Sequence, residues 1–256
     1  MALQILDELP AETLAAPGLT RGHAIVEAVR LARAEAIARG AEQDVAEGPL
    51  LSERFTKAWA ARQAERIRPG RALTREELRG ERGGEAQVRG TTHVSVVDAQ
   101  GNAVSLTQSL GRYFGAAWAP PSLGFPLNAF VESLVSDDRA SPGYLGPGVA
   151  AVAPVAPLLL VRDGRTVFVA GTGGSSRIPS SLLNVVAGLV DGGASPREAY
   201  AQPRVIWEDD SAGPRVMVEI APPIPPDAAA TLKGMGYENV WTLTAPGRDS
   251  PVFGGV

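Results

Sequence analysis

The chain has 256 residues, 45% of them hydrophobic and 20% charged, with a net charge of −4 and no cysteine. This is the make-up of a globular protein of one large or two small domains. It excludes disulfides, thiolate metal sites and cysteine nucleophiles, and it gives no general affinity for nucleic acid or an anionic membrane surface. The only histidines are His23 and His93, so a histidine-rich metal site is excluded, and any Ser-His-Asp triad would have to use one of the two.

The first 18 residues carry Asp7, Glu8 and Glu12 and no basic stretch, so they do not read as a secretory signal; the chain as it stands is expected to be cytoplasmic. No apolar run reaches the roughly 18 residues that a membrane span needs. Residues 20–39 have helical spacing, with Ile25, Val29, Ala32 and Ala36 on one face, Thr20 as the cap and Gly40 as the stop. Arg30, Arg33 and Arg39 are assigned to the solvated face. A second helix is expected over residues 52–67, capped by Ser52, with Phe55, Trp59, Ala60 and Gln63 on one side and Arg62 and Arg66 facing out. Residues 68–90 are rich in Arg, Glu and Gly without an apolar period and read as a solvated, mobile linker.

At Gly90 the composition breaks. Thr91 opens a two-residue alternation through Asp98, a turn at Gln100-Gly101-Asn102 follows, and a second alternation runs from Ala103 to Leu110. This is a β-hairpin whose returning strand brings residues 107–109 opposite residues 91–93. A glycine followed by two threonines at such a break marks a place where a chain can be cut. The cut would leave Thr91 with a free α-amine beside its own hydroxyl, a weak nucleophile next to a base.

Residues 116–148 are loop-dominated, and they are either a lid or a surface excursion, with Trp118 and Tyr144 as aromatics that would line a lid. Within them Asp137-Asp138 reads as a solvated acidic pair rather than a metal site. A second hairpin is expected around Arg162-Asp163-Gly164-Arg165. Next comes Gly171-Thr172-Gly173-Gly174-Ser175-Ser176-Arg177, then a helix over 179–190. A glycine-rich turn at a helix start suits an anion or oxyanion, or simply close packing; it lacks the Gly-Lys-Ser/Thr ending of a phosphate loop. A short helix at 196–200 capped by Ser195, strands at 205–207 and 215–220, a helix at 227–234 and a strand at 240–244 complete the reading.

Taken in order, these features resemble the γ-glutamyltranspeptidase family of N-terminal-nucleophile hydrolases, made as precursors that cut themselves. Thr91-Thr92-His93-x-Ser95-Val96-Val97-Asp98-x-x-Gly101-Asn102 resembles the start of the family's small subunit. Gly22-His23-x-x-Val26-Glu27-Ala28, Leu51-Ser52, Gly171-x-x-Gly174-x-Ser176-Arg177-Ile178 and Ala199-x-x-Gln202-Pro203-Arg204 resemble further family segments in the same order. The resemblance implies an α+β fold, a four-layer αββα sandwich lacking part of its helical layer. Residues 1–90 would be the end of a large-subunit-like segment with its processing linker, and residues 91–256 a small-subunit-like catalytic segment, together one domain.

The resemblance also implies roles. Cleavage would fall between Gly90 and Thr91. Thr91 would be the nucleophile, Ser109 the hydroxyl beside it, and Gly174 and Ser175 the oxyanion donors. For substrate binding, Gly111 stands where the family has an asparagine, and Phe130 and Ser133 where it has polar and acidic residues that grip the α-amino group; the adjacent Glu132 is the residue that could substitute. Ala153-Pro154 replaces a serine pair that helps hold the substrate carboxylate. A lost carboxylate clamp and ammonium acceptor imply a changed acyl group or an incomplete chain. The activity implied is transfer of a γ-glutamyl or related acyl group to water or an amine, with no cofactor and no metal. The alternative is a weak or inactive paralogue, or a fragment serving as a partner or structural subunit. A missing large-subunit region, or a partner chain in its place, would cover the apolar surface left bare.

Overall fold

A computed structural model of the chain describes residues 1–40, 56–78, 90–133, 137, 144, 146–147, 153, 155–210 and 213–243, with the side chains of 37–40, 132–133 and 210 left aside. Expectations for Ser52, Phe55, Asp138, Pro154 and the linker after residue 78 fall outside these residues, as does Thr244 of the last strand.

The molecule mixes α and β with small sheets. Helices α1 (Ala2–Asp7), α2 (Ala11–Ala15), α3 (Leu19–Gly40) and α4 (Lys57–Ala64) come first. The hairpin β1 (Thr91–Val97) and β2 (Ala103–Ser109) follows, then the hairpin β3 (Leu158–Arg162) and β4 (Arg165–Ala170). Helices α5 (Ile178–Val190) and α6 (Pro196–Ala201) lead to strands β5 (Val205–Asp210) and β6 (Gly213–Glu219), helix α7 (Ala228–Gly234) and strand β7 (Val240–Leu243). β5 pairs with β6 antiparallel and β6 with β7 parallel, which leaves β5 on the sheet edge. The turn between β3 and β4 has positive φ at both Asp163 (51°) and Gly164 (73°), the two-residue turn whose twist matches a hairpin.

The main core lies between α3 and the β5–β6 face, where Ile25, Val29, Leu183, Val205, Trp207, Val216 and Val218 pack with Ile5, Leu14 and Trp59. α3 is buried on every side from Arg21 to Ala32, not along one stripe. The assignment of Arg30 and Arg33 to a solvated face is therefore corrected. Arg30 is buried and pairs with Glu27 at 2.7 Å; Arg33 pairs with Asp209 at 2.9 Å and lies over the Trp207 ring. A guanidinium can be buried when a carboxylate and an aromatic face replace its water, and the apolar spacing of α3 does not reveal such partners.

Residues 68–78 are the second correction. They pack rather than float: Leu73 and Leu78 are buried, Ala72 N–H donates to the Met235 carbonyl (2.7 Å) and Leu73 N–H to Glu27 Oε2 (2.8 Å). Thr56 caps the described part of the second helix, its hydroxyl accepting from Trp59 N–H. No helix among the described residues is long and apolar enough to cross a membrane.

Candidate active site

The site is built on one face of the β1–β2 hairpin. The register pairs Thr91 with Ser109, His93 with Thr107 and Ser95 with Ser105. Because side chains alternate across a strand, these six polar residues share one face, while Val94, Leu106, Val96 and Val104 pair on the other. The amphipathic sense is inverted: the polar face points inward and the valine–leucine face is 44–57% exposed.

The polar face meets the chain leaving β4. Ser105 Oγ donates to the Ala170 carbonyl at 2.9 Å. At Gly171 an added Cβ would lie 2.2 Å from Nδ1 of His93, and at Gly173 it would lie 3.0 Å from the Thr91 carbonyl oxygen and 3.5 Å from its Cβ. Residues 170–173 thus track the hairpin from Ser105 past His93 to Thr91. Two of the glycines are there because backbone passes where a side chain would collide.

Thr91 and Ser109 hydroxyls lie 2.9 Å apart, with Thr91 donating. Ser109 Oγ also accepts from Gly111 N–H at 3.1 Å, so one oxygen ties the end of β1 to the loop after β2. Gly90 has φ +83°, a Cβ there would come 2.9 Å from the Arg112 carbonyl, and its own carbonyl accepts from Leu110 N–H at 3.3 Å. The peptide bond before Thr91 is therefore held at both ends, in a conformation that favours glycine. His93 is fastened between Thr107 Oγ1 (2.9 Å from Nδ1) and Ser95 Oγ (2.8 Å from Nε2). Both ring nitrogens are thus taken up by hydroxyls of the hairpin itself.

Beyond Gly173 the backbone turns sharply. Gly174 has φ +136° and Ser175 φ +58°, after which Ser175–Arg177 form one 3₁₀ turn leading into α5. The candidate donors Gly174 and Ser175 are thus at the positive start of a helix, next to the residue that touches Thr91. Gly111 (φ +78°) and Phe130 are also brought together, since a Cβ on Gly111 would lie 3.5 Å from Phe130 N. They adjoin Ser109 through the Gly111 hydrogen bond. The side chains of Glu132 and Ser133 lie outside the described residues. Trp118 is 58% exposed.

Sequence reasoning missed what holds the turn from behind. Ser176 Oγ donates to the Asp209 carbonyl (2.9 Å) and accepts from Asp209 N–H (3.0 Å), and Arg177 pairs with Glu208 at 2.7 Å. Glu208 in turn pairs with Arg215, whose guanidinium stacks over Trp241 at 4.1 Å. One signal was available: Ser176, Ser180 and Asn184 recur at helical spacing in an otherwise apolar stretch.

Comparison with known proteins places this arrangement first by fold and then by family. A cephalosporin acylase from Bacillus halodurans has the same fold, with a TM-score of 0.69 over 99% of this chain and 42% of that one, at 21% identity. The Gamma-glutamyltranspeptidase family model matches residues 1–250, and the chain belongs to that family. Among its relatives, a glutathione hydrolase proenzyme from Pseudomonas sp. (strain A14) is 30% identical over 213 residues, 79% of this chain and 36% of that protein. The acylase ACY 1 proenzyme of Pseudomonas sp. (strain V22) is 30% identical over 221 residues, 85% of this chain and 37% of that protein. The chain spans a little over a third of the length of these curated relatives.

Proposed function

We propose that this chain is the catalytic part of a self-cleaving threonine amidohydrolase or acyltransferase that acts on a γ-glutamyl or related acyl amide. The observation that carries the reading is the Thr91–Ser109 hydroxyl pair at 2.9 Å, with the Gly173-Gly174 turn laid against Thr91. In the precursor, Thr91 Oγ attacks the Gly90 carbonyl carbon, the Gly90–Thr91 C–N bond breaks, and water hydrolyses the ester formed. This releases Thr91 with a free α-amine.

In the mature protein that amine takes the hydroxyl proton as Thr91 Oγ bonds to the substrate carbonyl carbon. The Gly174 and Ser175 N–H groups stabilise the oxyanion, and the leaving amine departs with a proton. Water or an acceptor amine then releases the acyl group and restores the hydroxyl. Gly111 and Phe130, beside Ser109, are assigned to the substrate end of the site, with Glu132 and Ser133 as further contacts.

Residues 1–90 and 91–256 would be the two products of the cut and remain one folded unit, part of a four-layer αββα sandwich. The bare faces of both hairpins support a missing large-subunit-like segment or partner chain as the cover: Val94, Val96, Val104 and Leu106 on one, Leu159, Val161 and Val167 on the other. Those faces and the third-length coverage also favour a second reading, in which the chain is a weakly active or inactive subunit.

N-terminal sequencing after denaturing electrophoresis separates the two. A new terminus at Thr91, lost in Thr91→Ala together with hydrolysis of a chromogenic γ-glutamyl amide, supports the enzyme. A single uncut band over days supports the subunit.

A further inference from the structure

The start of α5 is joined to the edge of β5 by a ladder of side chains. Ser176, Ser180 and Asn184 are spaced i, i+4 and i+8, so they share one helix face. They meet Asp209, Trp207 and Val205, which are spaced two apart on the edge of β5 that has no β partner among the described residues. Ser176 Oγ donates to the Asp209 carbonyl and accepts from its N–H, at 2.9 and 3.0 Å. Ser180 Oγ does the same with Trp207, at 3.3 and 3.2 Å. Asn184 Nδ2 donates to the Val205 carbonyl at 3.0 Å.

Four helical residues rise about 6.0 Å and two strand residues about 6.7 Å, so the two repeats nearly match. The small mismatch is consistent with longer bonds at the second rung and a longer side chain at the third. A serine hydroxyl is suited to this work because it donates one hydrogen bond and accepts others. All three side chains are buried.

The first rung differs from the others in what it holds. Ser176 is the first anchored residue after Gly174 and Ser175, both at positive φ. Ser180 lies in the first turn of α5, four residues beyond Ser176, so its loss acts on the helix rather than on Gly174 and Ser175. We infer that Ser176 is a positioning residue: by clamping Asp209 of β5 it sets where the Gly174 and Ser175 N–H groups point relative to Thr91. This rests on the proposed roles of Thr91 and of that turn. Ser176 touches no reacting atom in this scheme.

The test compares Ser176→Ala, Ser180→Ala and Ser176→Thr in the full chain. Each alanine removes an equivalent two-way hydrogen bond, so the two should lose similar thermal stability. The probe is p-nitrophenyl acetate, whose acyl C–O bond breaks as Thr91 Oγ bonds to the acetyl carbon, with p-nitrophenolate leaving and the hydroxyl proton passing to the Thr91 amine. Readouts are the burst rate, the acetylated Thr91 peptide by mass spectrometry, and hydrogen exchange at Gly174 and Ser175.

Ser176→Ala is expected to slow acylation by about 10- to 100-fold, up to the cost of a ~1 Å misplacement and below the ~100- to 1,000-fold cost of a lost oxyanion donor. It should also speed exchange at the two amides. Ser180→Ala and Ser176→Thr are expected to stay within about threefold of wild type, well below that scale. Equal slowing in both alanine variants, or unchanged exchange at Gly174 and Ser175 in Ser176→Ala, overturns the inference and leaves the reading of Thr91 standing. A wild-type protein that is not acetylated at Thr91 removes that reading, and this inference with it.

Discussion

Replacing Ser109 with alanine tests the pairing at the centre of the site. Two bonds go at once: the one that Thr91 Oγ1 donates at 2.9 Å and the one from Gly111 N–H at 3.1 Å. A neutral hydrogen bond contributes about 0.5–1.5 kcal/mol net, so loss of the Thr91 contact alone, if it orients the hydroxyl for attack, slows acylation about 2- to 13-fold. Gly111 is buried, and its orphaned N–H adds about 1–3 kcal/mol against the loop conformation that sets Gly111 beside Phe130. The combined expectation is a rate loss beyond tenfold, with slower cleavage before Thr91. The assay is single-turnover acylation followed by mass spectrometry of the Thr91 peptide, with N-terminal sequencing over time. Ser109→Thr keeps the oxygen and suits a strand, so it should recover most of the rate. If Ser109→Ala cuts itself and acylates at the wild-type rate, Ser109 has no hold on Thr91 and the pairing argument fails.

Other perturbations probe the scaffold. Glu27 is fully buried and accepts from Arg30 (2.7 Å), Tyr237 (2.8 Å) and Leu73 N–H (2.8 Å); Glu27→Ala should cost about 3–5 kcal/mol in urea unfolding, and a loss under about 1 kcal/mol, the scale of an exposed ion pair, would refute that. A Cβ on Gly22 would stand 2.3 Å from Val205 Cγ2, so Gly22→Ala should push α3 off β5 and lower stability by about 1–3 kcal/mol; an unchanged melting temperature would contradict this. The Asp98 carboxyl is held below its ordinary value of 3.8, first by the Asn102 side chain and then by the turn N–H groups. Its contribution is present above 3.8 and is lost as pH falls through the lowered folded value. Amide protection at Gln100 and Asn102 should fall with acid in wild type and change little in Asp98→Asn.

What could be read from the chain alone was whatever local chemistry decides. The two hairpins were legible because alternation and turn residues specify them, and counting back from the turn set residues 107–109 opposite 91–93, though only the register fixes Thr91 on Ser109. The capped helix at Ser195 was legible for the same reason, and its capping box is present. Gly171 and Gly173 were visible as glycines, but the need for them was not, since His93 and Thr91 approach from another hairpin. Arg30 and Arg33 were misplaced because their partners Glu27, Tyr237, Asp209 and Trp207 come partly from residues far along the chain. Residues 71–78 looked like linker by composition, yet Leu73 and Leu78 fill a core that α3 and the turn after α7 complete. The clamp at Ser176 depends on the edge of β5, where Asp209 lies 33 residues further along the chain, so the spacing of Ser176, Ser180 and Asn184 shows a polar face but not what it meets.

The inverted hairpin connects the site to the cover proposed for its outer face. Polar side chains must face inward to set Thr91, Ser109 and His93 against the glycine turn, and strand alternation then forces Val94, Val96, Val104 and Leu106 outward. The second hairpin also leaves an apolar face outward, with Leu159, Val161 and Val167, although its inner face is apolar too, Leu158, Phe168 and Ala170 packing with Ile178 and Leu182. Each of the seven outward residues is 43–61% exposed. Complete burial of such a side chain is worth about 1.5–3 kcal/mol, so covering the exposed half of all seven would contribute on the order of 5–10 kcal/mol. That is comparable to the net stability of a whole domain, about 5–15 kcal/mol. A surface of that size is not neutral for a chain that stands alone. Placing the hydroxyl pair inward leaves an apolar face outward, so the cover proposed for that face is tied to the site by strand geometry itself.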